Sequence, residues 1–234
     1  NDAGEIMTFR DISQRQQAER HRIELAIEKE RAGLLEKFIG GASHDLRTPL
    51  SAITLALYVL QNNTDPDTQK RSHDTLRVQT KRLGDLLEDM LSMARLDGVV
   101  EFKQQTLSLN TLIQNILIDQ QEHNTEKAQT VSAILADELP LIHADLFQLS
   151  RAITNIVVNA SHYTPKGGSI TVRTYQRDQF VVLEVEDDGI GIGPKDLPHI
   201  FERFYRVDKA RGTAAGGTGL GLAISKKIIE THQG

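Results

Sequence analysis

The run Ser43-His44-Asp45-Leu46-Arg47-Thr48-Pro49-Leu50 sets an imidazole beside a carboxylate within an apolar-periodic stretch. Leu35, Ile39, Ala42, Leu46, Leu50 and Ile53 recur at steps of three or four, which is one continuous helical stripe. His44 lies two residues from both Ala42 and Leu46, so at roughly 100° per residue it points away from that stripe, towards water. A neutral imidazole, with an ordinary pKa of about 6.5, is a nitrogen nucleophile near neutral pH. Pro49 removes one helix donor and crowds the Asp45 carbonyl, so a bend is expected just past the histidine. Taken alone, His44 is equally well a solvated side chain on a kinked helix, and the rest of the chain decides.

Three downstream segments offer chemistry of another kind. Asp187-Asp188-Gly189-Ile190-Gly191-Ile192-Gly193 follows a predicted strand with a carboxylate and then glycines, which let backbone approach a flat ligand closely. Gly216-Gly217-Thr218-Gly219-Leu220-Gly221-Leu222 opens the last predicted helix, where amides and a helix N-terminus make a phosphate cradle. Asn155 and Asn159 stand one turn apart on one helix face and offer amide oxygens to a hard cation. Together they describe a nucleotide site. It is not a Walker loop, because Gly221 is followed by Leu222 and Ala223 instead of Lys and Ser or Thr, and a dinucleotide fingerprint from Gly219 lacks its last glycine at Ile224.

The elements that must position these residues fall into two grammars. Residues 1–11 contain Ile6-Met7-Thr8-Phe9 in apolar alternation, expected as the last strand of something upstream. Ser13 with Gln16 makes a capping box, so a helix is expected from there to Asn62, with Ile23, Ile27, Leu34 and Phe38 extending its seam. Asn62-Asn63-Thr64-Asp65-Pro66 reads as a turn, with Asp65 as N-cap and Pro66 at the first helical position. A second helix repeats Leu76, Leu83 and Met90 at sevens, with Leu86, Leu87 and Ala94 beside them, to about Gly98. Two such helices expose too much apolar surface alone, and pairing of two hairpins into a four-helix bundle is the economical solution. Beyond Gly98 the pattern is mixed: helices at 109–119, 145–161 and 219–231, and strands at 130–135, 169–175 and 180–186. Helices on one side of a mostly antiparallel sheet suit that order.

Composition narrows the class. The chain has 234 residues, 25% of them charged, and a net charge of -5, which gives nucleic acid no basic field. The absence of cysteine removes disulfides and thiolate metal sites and is compatible with a reducing cytosol. No run of about 18 apolar residues is present, so no membrane contact is expected from these residues.

In this order the motifs resemble those of the sensor histidine kinases of two-component signalling. His44 to Leu50 resembles the family's phosphoacceptor box, Asn155 to Pro165 its asparagine box, Asp187 to Gly193 its first glycine box, Phe201 to Arg206 its phenylalanine box, and Gly217 to Leu222 its second glycine box. Residues 9–13 more weakly resemble the exit of a PAS sensor domain. The resemblance implies an α+β multidomain chain. Its parts are a remnant strand of an upstream sensor at 1–12, a signalling coiled-coil helix at 13–43, a hairpin forming a dimeric four-helix bundle at 44–98, and an α/β sandwich ATP-binding domain at 99–234. Two further strands that complete the family's sheet lie beyond what this sequence contains.

The resemblance also implies roles. His44 accepts the γ-phosphoryl group of ATP, Asp45 orients the ring and takes its proton, and Arg206 stabilises charge on the transferring group. Asp187 accepts from the adenine amino group, and Asn159, with Asn155 close by, holds Mg2+. His162, Tyr163, Gly189, Gly191, Thr218, Gly219, Leu220 and Gly221 complete the nucleotide set. His162 stands where the family usually has Lys or Arg, so its cation depends on protonation. Thr48, one turn from Asp45, implies phosphatase activity towards the partner. That partner is an aspartate on a response-regulator receiver domain, and the expected location is cytoplasmic within a parent that can be membrane-anchored. Two other classes compete: a dimeric scaffold that transfers nothing, and an ATPase of the same superfamily. Intact glycine boxes speak against the first and the His44 motif against the second. Adjacent helical residues do not face one another, so Asp45 is expected to have difficulty reaching His44.

Overall fold

The computed structural model describes residues 2–96, 102–207 and 218–234. The side chains of Ile27, Leu34, Leu35 and Phe38, the expected boundary at residues 98 and 99, and Gly216 and Gly217 lie outside the described residues. By its contacts the chain divides into two units, Asn1–Thr48 and Pro49–Gly234.

The first unit is the N-terminal part of one long helix, α1 (Asp2–Asn62). Residues 6–9, expected as a strand, lie inside it, and so does the helix start expected at Ser13. A four-residue strand needs a neighbour to take up its backbone groups, whereas a helix satisfies them within the segment. Ala42 is buried, Leu46 half-buried and His44 exposed, in keeping with an imidazole turned off the stripe. Ile39 is exposed, so a single chain does not cover the whole stripe.

In the second unit α1 continues through a buried Pro49 to Asn62. The turn that follows has the expected chemistry. Asn63 accepts from the Asp65 amide at 2.8 Å, and Asp65 caps α2 (Pro66–Leu96) by accepting from the Thr68 amide at 2.9 Å and hydroxyl at 2.5 Å. The Thr68 hydroxyl, and then its amide, hold the Asp65 carboxyl below the usual carboxylate range. Leu86, Met93 and Leu96 form the buried seam of α2, while Leu76, Leu83 and Met90 are half-buried and Leu87 and Leu91 exposed. Of the seam expected at 76, 83 and 90 with 86, 87 and 94 beside them, a single chain thus buries Leu86, covers Leu76, Leu83 and Met90 in part, and leaves Leu87 and Ala94 exposed.

The rest is an α/β layer. A ribbon pairs β1 (Gln104–Leu107) antiparallel with β3 (Ile142–Asp145). A three-stranded sheet has the order β2 (Thr130–Leu135), β4 (Ser169–Arg177), β5 (Phe180–Asp187). The β2–β4 ladder is parallel and β4–β5 antiparallel, with Arg177 opposite Phe180, so Asp178 and Gln179 make the hairpin loop. Asp178 takes φ 54°, a left-handed conformation that aspartate tolerates in such loops. Strands β1 and β3 and the short α4 (Gln121–Glu126) are additions to the expected elements; four to six residues are too few to show a period.

The core lies between the helices and this sheet. Leu109, Leu112, Ile113 and Ile116 of α3 (Leu109–Asp119) meet Leu149, Ile153 and Val157 of α5 (Leu146–Tyr163) over Val172 of β4. Helix α5 follows from its sequence. Asp145 accepts from the Gln148 amide at 3.0 Å as N-cap, buried Leu149, Ala152, Ile153, Val157 and Ala160 recur at helical steps, and Pro165 forces Thr164 out of helical geometry. Asp145 is also a junction. Its second carboxylate oxygen accepts from the Lys103 amide at 3.0 Å, and its own amide donates to His232 Nε2 at 3.0 Å, while the His232 ring stacks on Phe102 with centroids 4.8 Å apart. His232 closes α6 (Gly221–Thr231), which packs along α5. Among the described residues no helix is long and apolar enough to cross a membrane.

The C-terminal end of α5 is held by a buried polar cluster. Gln129 Nε2 donates to the carbonyls of Ser161 (2.8 Å) and Thr164 (2.7 Å), and Ser161 Oγ lies 2.8 Å from Gln129 Oε1 and 2.9 Å from Asn124 Oδ1. Gln129→Ala strands these groups away from water, and chemical denaturation is expected to show a loss of about 2 kcal/mol. Asp65 gives a pH prediction. Its lowered carboxyl contributes stability above the unfolded value near pH 4, lost as pH falls through the folded value. Asp65→Asn is expected to shrink the drop in melting temperature between pH 5 and pH 3.

Candidate active site

Helix α5 carries a polar row at four-residue spacing, Arg151, Asn155 and Asn159, opposite its buried face. Asn155 Nδ2 donates to the Gly221 carbonyl at 3.2 Å and approaches Ser225 Oγ at 3.5 Å, which fixes the start of α6 against α5. Between the row and that start lies an open cleft of about 230 Å3. Of the expected residues it brings together Asn155, Asn159, Tyr163, Arg206, Thr218, Gly219 and Gly221, and Val158, Ile200, Tyr205 and Leu222 also line it.

The second glycine loop is shaped by close approach. Gly219 has φ +68°, and a Cβ there would lie 2.9 Å from the Phe204 backbone; its carbonyl accepts from the Phe204 amide at 2.9 Å. The phenylalanine box is thereby tied to the loop. The Tyr205 hydroxyl donates to Asp196 at 2.6 Å, and that bond, with the carboxylate's charge, raises its pKa. Leu220 is fully buried and anchors the loop, and its amide donates to Thr218 Oγ1 at 3.2 Å.

Asp187, Gly189, Gly191 and His162 do not line the cleft. Asp187, Gly189 and His162 adjoin its Tyr163 side. A Cβ on Gly189 would lie 2.6 Å from the Tyr163 carbonyl, and the Ile190 amide reaches that carbonyl at 3.4 Å. The Gly189 amide donates to Asp187 Oδ1 at 3.0 Å, which orients an exposed carboxylate at the strand end. Gly191, at φ +68°, has open space around it, and the His162 ring meets Tyr163 edge-on at 4.9 Å.

In the first unit His44 Nδ1 lies 3.1 Å from Asp45 Oδ1, with the imidazole 80% exposed and the carboxylate 22%. The expected difficulty of reach does not arise: Nδ1 is the ring nitrogen nearest the backbone and the aspartate is short, so both polar atoms stay close to the helix surface. The Thr48 hydroxyl donates to the His44 carbonyl at 3.4 Å.

Sequence reasoning missed two residues. Asp89 of α2 lines the cleft; its Oδ1 accepts from Arg151 Nη2 at 2.7 Å and its Oδ2 from the Thr218 hydroxyl at 2.8 Å. Arg151 Nη1 also donates to Ser92 Oγ. In the sequence both read as ordinary helix charges, and no local signal marks them.

Comparison with known proteins gives two domain matches. The His Kinase A (phospho-acceptor) domain matches residues 34–99, and the histidine kinase-, DNA gyrase B- and HSP90-like ATPase matches residues 144–234. The phosphate regulon sensor protein PhoR of Pseudomonas aeruginosa is 33% identical over 231 residues, 97% of this chain and 49% of PhoR. The sensor histidine kinase WalK of Bacillus subtilis is 32% identical over 85% of this chain and 33% of its own length. The chain thus spans half or less of the length of these relatives. Among solved structures, ShkA in complex with AMPPNP has a TM-score of 0.60 at 25% identity, covering 80% of this chain and 39% of that one. ThkA in complex with the response regulator protein TrrA has a TM-score of 0.71 at 22% identity, covering 88% and 57%, and is similar in fold. A phospho-acceptor domain followed by an ATPase domain, in a chain aligned with PhoR over nearly its whole length, places this protein among the sensor histidine kinases of two-component signalling.

Proposed function

We propose that these residues carry out ATP-dependent autophosphorylation of His44 and pass the phosphoryl group to an aspartate on a response-regulator receiver domain. The observation that carries the reading is the 3.1 Å contact of His44 Nδ1 with Asp45 Oδ1 on a ring 80% exposed to solvent. The tautomer with its proton on Nδ1 suits that contact and leaves the lone pair on Nε2. Nε2 forms the new N–P bond, the bond from the γ-phosphorus to the bridging oxygen breaks, and ADP leaves with that electron pair. As positive charge develops on the ring, the Nδ1 proton passes to the Asp45 carboxylate and leaves a neutral phosphoimidazole.

The cleft holds the phosphate end. The Thr218–Gly221 backbone and the Thr218 hydroxyl donate to phosphate oxygens, and Arg206 meets the charge of the transferring group. The adenine end lies at the Tyr163 side, where the Gly189 amide keeps Asp187 oriented as an acceptor. Among the described residues no group of three or more His, Cys, Asp or Glu forms a metal cage. A hard cation at Asn159 would take its other ligands from phosphate oxygens and water, which is the usual environment of Mg2+ and neutralises phosphate charge. His162, in place of the usual Lys or Arg, adds charge there only when protonated.

A homodimer belongs to the same reading. Leu50, Leu57 and Tyr58 on α1 and Val78, Leu87 and Leu91 on α2 are all exposed in the single chain, an apolar surface that a second hairpin would cover. The reading extends to residues 13–43 as a signalling helix below an upstream sensor domain, to 44–98 as the phosphotransfer hairpin and to 99–234 as the ATP domain. It also takes in a cytoplasmic position and phosphatase action through Thr48.

Incubation with ATP labelled at the γ-phosphate is expected to give an acid-labile, base-stable label that His44→Gln abolishes; label retained in that variant overturns the assignment. Asp45→Asn is expected to slow labelling by about 10²-fold with nucleotide binding intact. In Asn159→Ala the dependence of nucleotide affinity on Mg2+ is expected to fall, and an unchanged dependence removes that residue's role.

A further inference from the structure

We propose that Asp89, delivered by α2, sets the nucleotide affinity of the cleft: its carboxylate takes the hydroxyl that a phosphate would use and must withdraw before phosphate enters. The proposal rests on the reading of the cleft as the phosphate end of an ATP site. Asp89 lines that cleft beside Asn155, Asn159 and Gly219, although it belongs to the helical hairpin. Its two oxygens are both engaged, one by Arg151 at 2.7 Å and the other by the Thr218 hydroxyl at 2.8 Å. Each side chain of the Asp89–Arg151 pair is only 18% exposed, so this is a sheltered contact between α2 and α5 and not a loose surface pair.

Proton counting makes the contact exclusive. A threonine hydroxyl has one proton, and that of Thr218 is donated to Asp89 while its oxygen accepts from the Leu220 amide. It cannot donate to a phosphate oxygen at the same time. Charge acts in the same direction, because a carboxylate at the rim repels an incoming polyanion. The grip on α5 has a second point: Ser92, one turn on from Asp89, accepts from the other side of the Arg151 guanidinium. Arg151 stands one turn before Asn155, so α2 holds the same helix that presents the site. Nucleotide and α2 then compete, and by linkage each weakens the hold of the other.

The test uses the full 234-residue chain and ADP, titrated with and without Mg2+ by calorimetry. Asp89→Asn is expected to bind ADP about tenfold tighter in both conditions, the gain for a site whose open form is about a tenth of the population. In the unchanged chain ADP is expected to speed amide hydrogen exchange across residues 86–96; in Asp89→Asn that exchange is already fast without ADP. Equal or weaker binding by Asp89→Asn overturns the proposal, and weakening confined to Mg2+ makes Asp89 a cation ligand instead. If neither protein binds ADP, the reading of the cleft itself fails and the proposal with it. Should the single variant not fold, the double variant Asp89→Asn, Arg151→Gln leaves no unpaired charge, and the same tightening is required of it.

Discussion

The amide of Asn155 against the carbonyl of Gly221 is the contact on which the cleft between α5 and α6 depends. It joins the middle of α5 to the first residue of α6, and Ser225 reinforces it by donating towards the carbonyls of Ala152 and Gly221. These groups meet because small residues face each other there: Ala152, Ala223 and Ser225 are all buried. A larger side chain at any of them would part the helices. With the helices close, the row Asn155 and Asn159 looks across at Thr218 and Gly219, and the phenylalanine box is drawn in through Phe204. The cleft is the gap left by this one close packing.

Features that depend on neighbours in sequence were legible in it. Helix α5 announces itself by an aspartate cap, five apolar residues at helical steps and a terminating Pro165, and the turn into α2 by Asp65 and Pro66. Strand β4 alternates over nine residues, long enough to show a period of two, and β5 is a largely apolar run rich in β-branched valine, bounded by the polar turn. Strands β1 and β3 are four residues each and exist because they pair with one another across the 34 residues between them, which no local pattern records. The run at residues 6–9 alternates as a strand should, yet pairs with no strand among the described residues and lies within α1.

The same distinction governs the site. Glycines at 189 and 219 could be read as close approaches because the residue type itself marks the need, although the backbone each one meets, at Tyr163 and at Phe204, belongs to another segment. Asp89 could not, since its partners lie 62 and 129 residues away and its own neighbourhood is a heptad helix. Heptad reading also found the seam of α2: Leu83, Leu86 and Met90 recur at steps of three and four on one face, and Met93 continues it, with Leu86 and Met93 the more deeply buried.

Asp145 gives the α/β layer an unusual point of attachment. Backbone arriving at Phe102 and Lys103 meets, within two residues, both the ring that closes the last helix and the carboxylate that begins α5. Strand β1, the start of α5 and the end of α6 are thus fastened to one another at a single residue. Arg151, Asn155 and Asn159 stand along the helix that starts at this junction, so its direction there fixes the place of all three.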